Sequence, residues 1–249
     1  MRDYLSETDL RVAFIRDLLQ DSGARGVLFG NSGGKDSVLV GILCKLACAD
    51  TVGLIMPCGS KRNYGEDMSD AIEIAERFDI ESRVVDLGYV YGRFITTFDS
   101  AAKLDAASVS NIAPRLRMTA LYAIAASEGR LVAGTGNRSE RYMGYFTKWG
   151  DGAFDFNPIA DLTVTEVYEF LKHLGAPQRI IEKAPSAGLF DGQTDEAEMG
   201  VSYKSIDEYL LNGTCTAEDM SVIKKHHRAS EHKRILPHTY GGQAAVNSE

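Results

Sequence analysis

Gly30-Asn31-Ser32-Gly33-Gly34-Lys35-Asp36-Ser37 decides how this chain folds. The apolar run Val27-Leu28-Phe29 just before it reads as a buried parallel strand. Val38-Leu39-Val40-Gly41-Ile42-Leu43, continued through residues 44–49, reads as a helix packed on that strand. A glycine-rich turn from strand to helix presents free backbone N–H groups at a positive helix end, and so suits a phosphate. Each exposed contact of that kind is worth only about 0.3–1 kcal/mol. A bound polyphosphate therefore needs a metal ion and cationic side chains from other parts of the chain.

The obvious competitor is the Walker loop, Gly-x-x-x-x-Gly-Lys-Ser/Thr. Gly34-Lys35 fits its end, but Asp36 stands where a hydroxyl is needed and Phe29 where the first glycine belongs. A carboxylate beside bound phosphates is unfavourable unless a cation lies between them, so Asp36 is expected to ligate Mg2+. A bare strand–helix turn with Asp36 at the helix start is the plainer alternative. The pattern Ser-Gly-Gly-x-Asp-Ser resembles the loop of the ATP-pyrophosphatase superfamily, whose members cleave ATP between the α and β phosphates and adenylate an acid or amide oxygen.

With 249 residues the chain can bury one substantial core, and residues 1–249 are expected to form a single domain. Hydrophobic content of 44% and charged content of 25% are ordinary for a globular protein. A net charge of −8 argues against a general nucleic-acid binder. No apolar run approaches the ~20 residues of a membrane span, and Met1-Arg2-Asp3-Tyr4 does not open a signal peptide. The four cysteines are scattered; Cys44 and Cys48 share a helix face but have no partners at zinc spacing. Buried thiols and a cytoplasmic setting are the expectation.

Helical spacing of Leu10, Phe14 and Leu18 predicts an amphipathic helix over 8–21. Residues 51–56, 83–87 and 131–134 read as further strands, and 66–78, 91–103 and 113–127 as helices. Strands alternating with helices of this length make a parallel α/β sheet with helices on both faces. Ligands of such sheets sit beyond the carboxyl ends of the strands. The loop at 30–37 and the segment opening at Thr135 both begin there, which points to one site. Thr163-Val164-Thr165-Glu166 is a capping box opening a helix, and Pro177 starts a short one. Residues 184–200 lack apolar periodicity and read as a mobile loop, a lid over the site. Thr216 opens a last helix that runs into a basic segment at 226–234.

Chemistry-bearing residues gather in the second half. Thr135 is a hydroxyl donor at a strand end, and Glu140 a carboxylate within reach of the same metal as Asp36, with a surface glutamate as the alternative. Gly144-Tyr145-Phe146-Thr147-Lys148-Trp149-Gly150-Asp151-Gly152 mixes rings, glycines and isolated charges. Such a loop suits ring stacking and sugar hydroxyls.

Together with Gly134-Thr135-Gly136-Asn137-Arg138-Ser139-Glu140, Asn157-Pro158, Ala184-Pro185-Ser186-Ala187-Gly188-Leu189 and Glu231-His232-Lys233-Arg234, this loop is similar to the ammonia-dependent NAD synthetase family. The likeness spans nearly the whole chain in the expected order and implies an adenine nucleotide alpha hydrolase-like, Rossmann-like fold.

By that resemblance Gly30, Asn31, Ser32, Gly33, Gly34, Lys35, Asp36 and Ser37 hold ATP phosphates, joined by Thr135 and Ser186. Asp36 and Glu140 become the catalytic carboxylates and Mg2+ ligands. Arg115, Lys148, Asp155, His232 and Lys233 contact deamido-NAD, while Arg117 points elsewhere. The implied reaction adenylates the nicotinate carboxylate and then amidates it with ammonia, supplied free or by a separate glutaminase, in a homodimer. Three positions depart from the family pattern: Lys35 where an apolar residue is usual, Pro114 for alanine, and Val164 for an ATP-contacting lysine. Lys35 and Lys61 are the candidates to replace that charge. Other amidating or thiolating ATP pyrophosphatases, and a nucleotide-binding regulator without turnover, are the alternatives.

Overall fold

The computed structural model describes residues 2–183, 185, 188 and 194–240. Its sheet is built from β1 (Gly26–Gly30), β2 (Thr51–Ile55), β3 (Glu81–Val84) and β4 (Arg130–Ala133), all parallel, in the order β3-β2-β1-β4. The chain steps outward from β1 to β3, then returns to lay β4 on the other side of β1. That reversal opens a crevice at the carboxyl ends of β1 and β4.

Before β1 runs α1 (Tyr4–Ser22); α2 (Lys35–Ala47) follows the glycine loop. Between β2 and β3 lie α3 (Lys61–Tyr64) and α4 (Glu66–Arg77), and between β3 and β4 lie α5 (Gly88–Phe98), α6 (Ala106–Ser110) and α7 (Ile112–Glu128). Beyond β4 come α8 (Arg138–Met143), α9 (Val164–His173), α10 (Gln178–Glu182), α11 (Asp195–Met199), α12 (Tyr203–Asn212) and α13 (Ala217–Ala229).

Both sheet faces are covered, as the alternating pattern requires. On one, Val27 and Phe29 pack with Ile15, Leu39, Leu43, Ile74, Phe170 and Leu171. On the other, Leu28, Val52 and Leu54 meet Leu87, Ile112, Leu116 and Ala125. Each fully buried side chain of this size contributes roughly 1.5–3 kcal/mol. Phe29 fits because its neighbours are small: a Cβ on Gly41 would lie 2.6 Å from its ring, and one on Gly53 3.1 Å. A third cluster, with Met143, Val164, Met199, Tyr203, Ile206 and Ile223, fastens α8, α9, α12 and α13 together.

Several elements differ from their sequence readings. Helix α1 starts at Tyr4, where Asp3 caps it by accepting from the Leu5 and Ser6 N–H groups. Its buried face is Arg11, Val12 and Ile15, while Leu10 and Phe14 are exposed. The reason is ionic. Arg11 donates to both Asp161 oxygens at 2.7 and 2.9 Å and to the Pro158 carbonyl, which turns that side inward. Strand β3 comes two residues earlier than expected because an edge strand tolerates the polar sequence Glu-Ser-Arg. Helices α3, α6, α8 and α12 had no predicted counterpart. Segment 184–200 is not wholly a loop: its end forms α11, and much of the expected lid, Ser186 included, lies outside the described residues. The last residues, from 241 on, also lie outside them. The cysteines are free thiols, Cys44 and Cys58 buried. No helix among the described residues is long and apolar enough to cross a membrane.

Candidate active site

The loop after β1 turns at Gly33, whose φ of 69° lies in the left-handed region. Asn31, buried, donates from Nδ2 to the Ala71 carbonyl at 2.9 Å and accepts the Gly33 N–H at Oδ1. The loop is thereby tied to α4. Ser37 donates its hydroxyl to the Gly34 carbonyl at 2.9 Å, and the Ser32 and Ser37 oxygens lie 3.1 Å apart. Gly34 stands at the N-cap of α2 with no side-chain cap bond, so first-turn N–H groups stay available to an anion.

Beyond β4, the sequence Asn137-Arg138-Ser139-Glu140 forms a capping box at the start of α8. Asn137, fully buried, also donates from Nδ2 to Asp36 Oδ1 at 3.0 Å. The loops after β1 and β4 are joined by that bond. Glu140 Oε2 accepts the Asn137 N–H at 3.1 Å while Oε1 lies 3.7 Å from Lys35 Nζ. Lys35 Nζ in turn donates to Asp36 Oδ2 at 2.7 Å. Two carboxylates from two loops thus converge on one ammonium.

Burial raises the Glu140 pKa well above the ordinary carboxyl value, and the Asp36 charge adds to it against the opposing Lys35. For Lys35 burial disfavours the charge, but Asp36 and Glu140 outweigh it and the ammonium is held more firmly than usual. The donor set fits Mg2+, a hard cation that commonly takes one or two carboxylates and completes its shell with phosphate and water. Among the described residues no cluster of three or more His, Cys, Asp or Glu side chains is placed to hold a metal. Two carboxylates would fill only part of such a shell and leave the rest to phosphate and water.

Both loops open onto a cavity of about 440 Å3, lined by Gly30, Ser32, Gly34, Lys35, Asp36, Ser37, Thr135, Gly136 and Glu140. Gly33 is off the lining because α4 covers it. Of the residues expected to meet the second substrate, Lys233 reaches this cavity. Its Nζ donates to the Gly144 and Phe146 carbonyls at 2.8 and 2.7 Å. Arg115, Lys148 and His232 form a chain beside it: Arg115 donates to the Lys148 carbonyl at 3.3 Å, and Lys148 Nζ to the His232 carbonyl at 2.6 Å. Asp155 does not line the cavity. Its Oδ2 accepts the Val132 N–H at 2.7 Å and its Oδ1 the Tyr122 hydroxyl at 3.2 Å, which pins the chain beside β4.

Arg117, expected to point elsewhere and serve only in capping or pairing, does pair but sits on the cavity side of α7. It lies on the lining with Pro114, Met118 and Leu121, one helical face of α7, and donates to the Met56 carbonyl and to Asn63 Oδ1 at 3.1 and 2.7 Å. Burial lowers its pKa from the usual guanidinium value. The signal was the i, i+3, i+4, i+7 spacing from Pro114. Pro114 itself sits in the first turn of α7, where proline is tolerated. Lys183 was also missed; it lines the cavity and donates to Asp67 and Asp70 at 2.8 and 2.6 Å. Val164 is buried in the third apolar cluster, and Lys61 is exposed and off the lining.

A sequence model of the NAD synthase family matches residues 7–237. The chain belongs to the NAD synthase family. It is 47% identical over 234 residues to the NH3-dependent NAD+ synthetase of Carboxydothermus hydrogenoformans, covering 93% of this chain and 95% of that one. Among solved structures, the NMN synthetase of Francisella tularensis superposes with a TM-score of 0.91 at 38% identity, over 96% of this chain and 99% of that one. The NH3-dependent NAD synthetase of Campylobacter jejuni gives a TM-score of 0.78 at 29% identity, over the same shares of the two chains. The Rossmann-like parallel sheet is thus the fold of NAD synthetases, and the family makes this chain a ligase.

Proposed function

We propose that this family member amidates the nicotinate carboxylate of deamido-NAD with ammonia, consuming ATP and releasing NAD, AMP and pyrophosphate. What carries the conclusion is the meeting of Asp36 and Glu140, from the loops after β1 and β4, in the cavity onto which the glycine loop opens. In the first step a carboxylate oxygen bonds to the α-phosphorus, and the bond to the bridging oxygen breaks with pyrophosphate leaving. Ammonia then bonds to the acyl carbon, AMP departs with the C–O electron pair, and the nitrogen sheds its proton. Chemistry of this type needs positioning and charge neutralisation more than a nucleophile. The N–H groups of α2 orient the phosphates, Thr135 supports ATP, and Asp36 and Glu140 would hold Mg2+. When bound, Mg2+ supplies positive charge against the phosphate oxygens.

The direct test supplies ATP, Mg2+, ammonium and deamido-NAD and follows NAD and AMP. Equimolar NAD and AMP is the expected result, with glutamine alone giving none. ATP binding without AMP release would favour a regulator instead. A second acid is favoured by one observation: the higher TM-score to the NMN synthetase. There the same steps would amidate the mononucleotide acid and give NMN. The ratio of kcat/KM for the two acids separates these substrates.

Arg115 is exposed and off the cavity lining, with its guanidinium donating to the Lys148 carbonyl at 3.3 Å. Arg115→Ala is expected to raise KM for the acid substrate about 10–100-fold, in line with losing a charged hydrogen bond, and to leave KM for ATP nearly unchanged. Equal effects on both substrates would remove Arg115 from the acid site.

A homodimer has a surface available. Helix α5 exposes Tyr89, Phe94 and Phe98, and neighbouring β3 exposes Val84. Apolar groups gathered this way mark an interface. Phe94→Asp is expected to halve the mass measured by light scattering; a monomeric parent protein would contradict the dimer. The unpaired thiols suit a reducing cytoplasm.

A further inference from the structure

Lys35, the cation of the phosphate loop, is 7% exposed and lies on the lining of the cavity beside Asp36 and Glu140. Its Nζ lies 2.7 Å from Asp36 and 3.7 Å from Glu140, with the Tyr203 ring centroid 5.6 Å away. Asp36 is held from its other side by Asn137, and Glu140 by the Asn137 N–H. The ammonium therefore fills the gap between the two carboxylates that the metal reading assigns to Mg2+.

We propose that Lys35 is a resident counter-ion that keeps free Mg2+ off the Asp36–Glu140 pair and admits the metal only together with a polyphosphate. The inference rests on that metal reading of the two carboxylates. Two cations cannot share so small a buried space, because their repulsion is weakly screened there. With no anion present, a divalent ion entering the pair would strand a buried ammonium without a partner, which is costly. A triphosphate changes the balance. Its oxygens accept the displaced ammonium, and its charge compensates the metal. Lys35 is thus a positioning residue in this role: it holds the carboxylates together before the nucleotide arrives and moves to phosphate afterwards.

Mn2+ binding, read by electron paramagnetic resonance, tests the point without turnover. The parent protein is expected to bind Mn2+ at least about tenfold more weakly without nucleotide than with a non-hydrolysable ATP analogue. Lys35→Met is expected to bind Mn2+ without nucleotide, about tenfold or more tighter than the parent, and to show a melting temperature that rises with Mg2+. Lys35→Arg keeps the charge and should keep the parent pattern. Should Lys35→Met not fold, Lys35→Gln removes the same charge with a polar side chain and is expected to bind Mn2+ without nucleotide as Lys35→Met would; affinity no tighter than the parent's overturns the role of Lys35. Tight Mn2+ binding to the nucleotide-free parent, equal to that of Lys35→Met, overturns the role of Lys35 and leaves the metal reading standing. Absence of Mn2+ from every form, analogue included, overturns both.

Discussion

Asp36→Asn is expected to lower kcat by about 10³-fold, the loss typical of removing one electrostatic stabiliser from a reacting phosphoryl or acyl centre. Its melting temperature should stay within a few degrees of the parent. The asymmetry follows from what Asp36 touches. Oδ1 accepts from Asn137 Nδ2 at 3.0 Å, and an asparagine oxygen can keep that bond. Oδ2 pairs with Lys35, and the amide replacing it has no charge to share with a divalent ion. Fold and charge are thus separated by one atom. ATP binding in the variant, measured by calorimetry, should weaken far more in Mg2+ than in EDTA. Near-parental turnover would take Asp36 out of the site and with it the phosphate-loop account.

The strands β1, β2 and β4 were legible because burial on both faces demands unbroken apolar runs, and Val27–Phe29 and its neighbours supply them. Once the strands were known, the rule that ligands bind beyond their carboxyl ends located both loops. What the sequence could not convey was the adjacency of β1 and β4, which hydrogen bonding such as Phe29 opposite Ala133 establishes. Strand β3 and helix α6 were blurred by polar composition, since edge and surface elements satisfy a weaker pattern, whereas α12 carries Tyr203, Ile206, Tyr209 and Leu210 at helical spacing and its signal was passed over. The face of α1 misled for a different reason. Periodicity weighs Leu10 and Phe14 as core, but an ion pair between the buried Arg11 and the half-exposed Asp161 fixed the rotation, and its partner lies 150 residues away. Long-range ionic anchors leave no local period.

The site shows the same division. Loop backbone is local, so residues 30–37 were recognisable from their sequence, whereas the Asn137–Glu140 capping box and its bond to Asp36 emerge only in the fold. Side-chain direction is not local. Lys35 points back between two carboxylates instead of outward, and Arg117 instead of Arg115 reaches the lining, because each direction depends on what packs opposite. Val164 and Lys35 tell one story in this respect. The position at 164 lies among Met143, Tyr203 and Ile206, where a charge would be stranded, while Lys35, from the loop itself, lies over the Tyr203 ring. The start of α9 therefore contributes no positive charge to the site, whose lining cations include Lys35 from the loop side and Arg117, Lys183 and Lys233 from elsewhere.

Gly33→Ala is the second substitution with a large expected effect, and here fold and function fail together. A φ of 69° is strained for any residue with a Cβ, at a cost of about 1 kcal/mol. The new carbon would also lie 2.6 Å from the Asp67 carbonyl oxygen, 2.8 Å from Asp70 Cβ and 2.9 Å from the Ala71 nitrogen. Two of those three atoms are backbone of α4 and cannot rotate away, so overpacking adds about 1–3 kcal/mol. The strain has nowhere quiet to go. Asp67 and Asp70 are clamped by Lys183 at 2.8 and 2.6 Å, and Asp70 by Arg179 at 2.6 Å. Relief must come from the loop, which would pull the Asn31–Ala71 bond and shift the α2 amides off the phosphates. We therefore expect a melting temperature lower by about 5–10 °C and KM for ATP raised about 100-fold or more, with KM for the acid substrate little changed. Lys183→Met should relieve part of the loss by freeing α4 to retreat. Parental ATP affinity in Gly33→Ala would mean that the close approach of α4 does not shape the phosphate cradle.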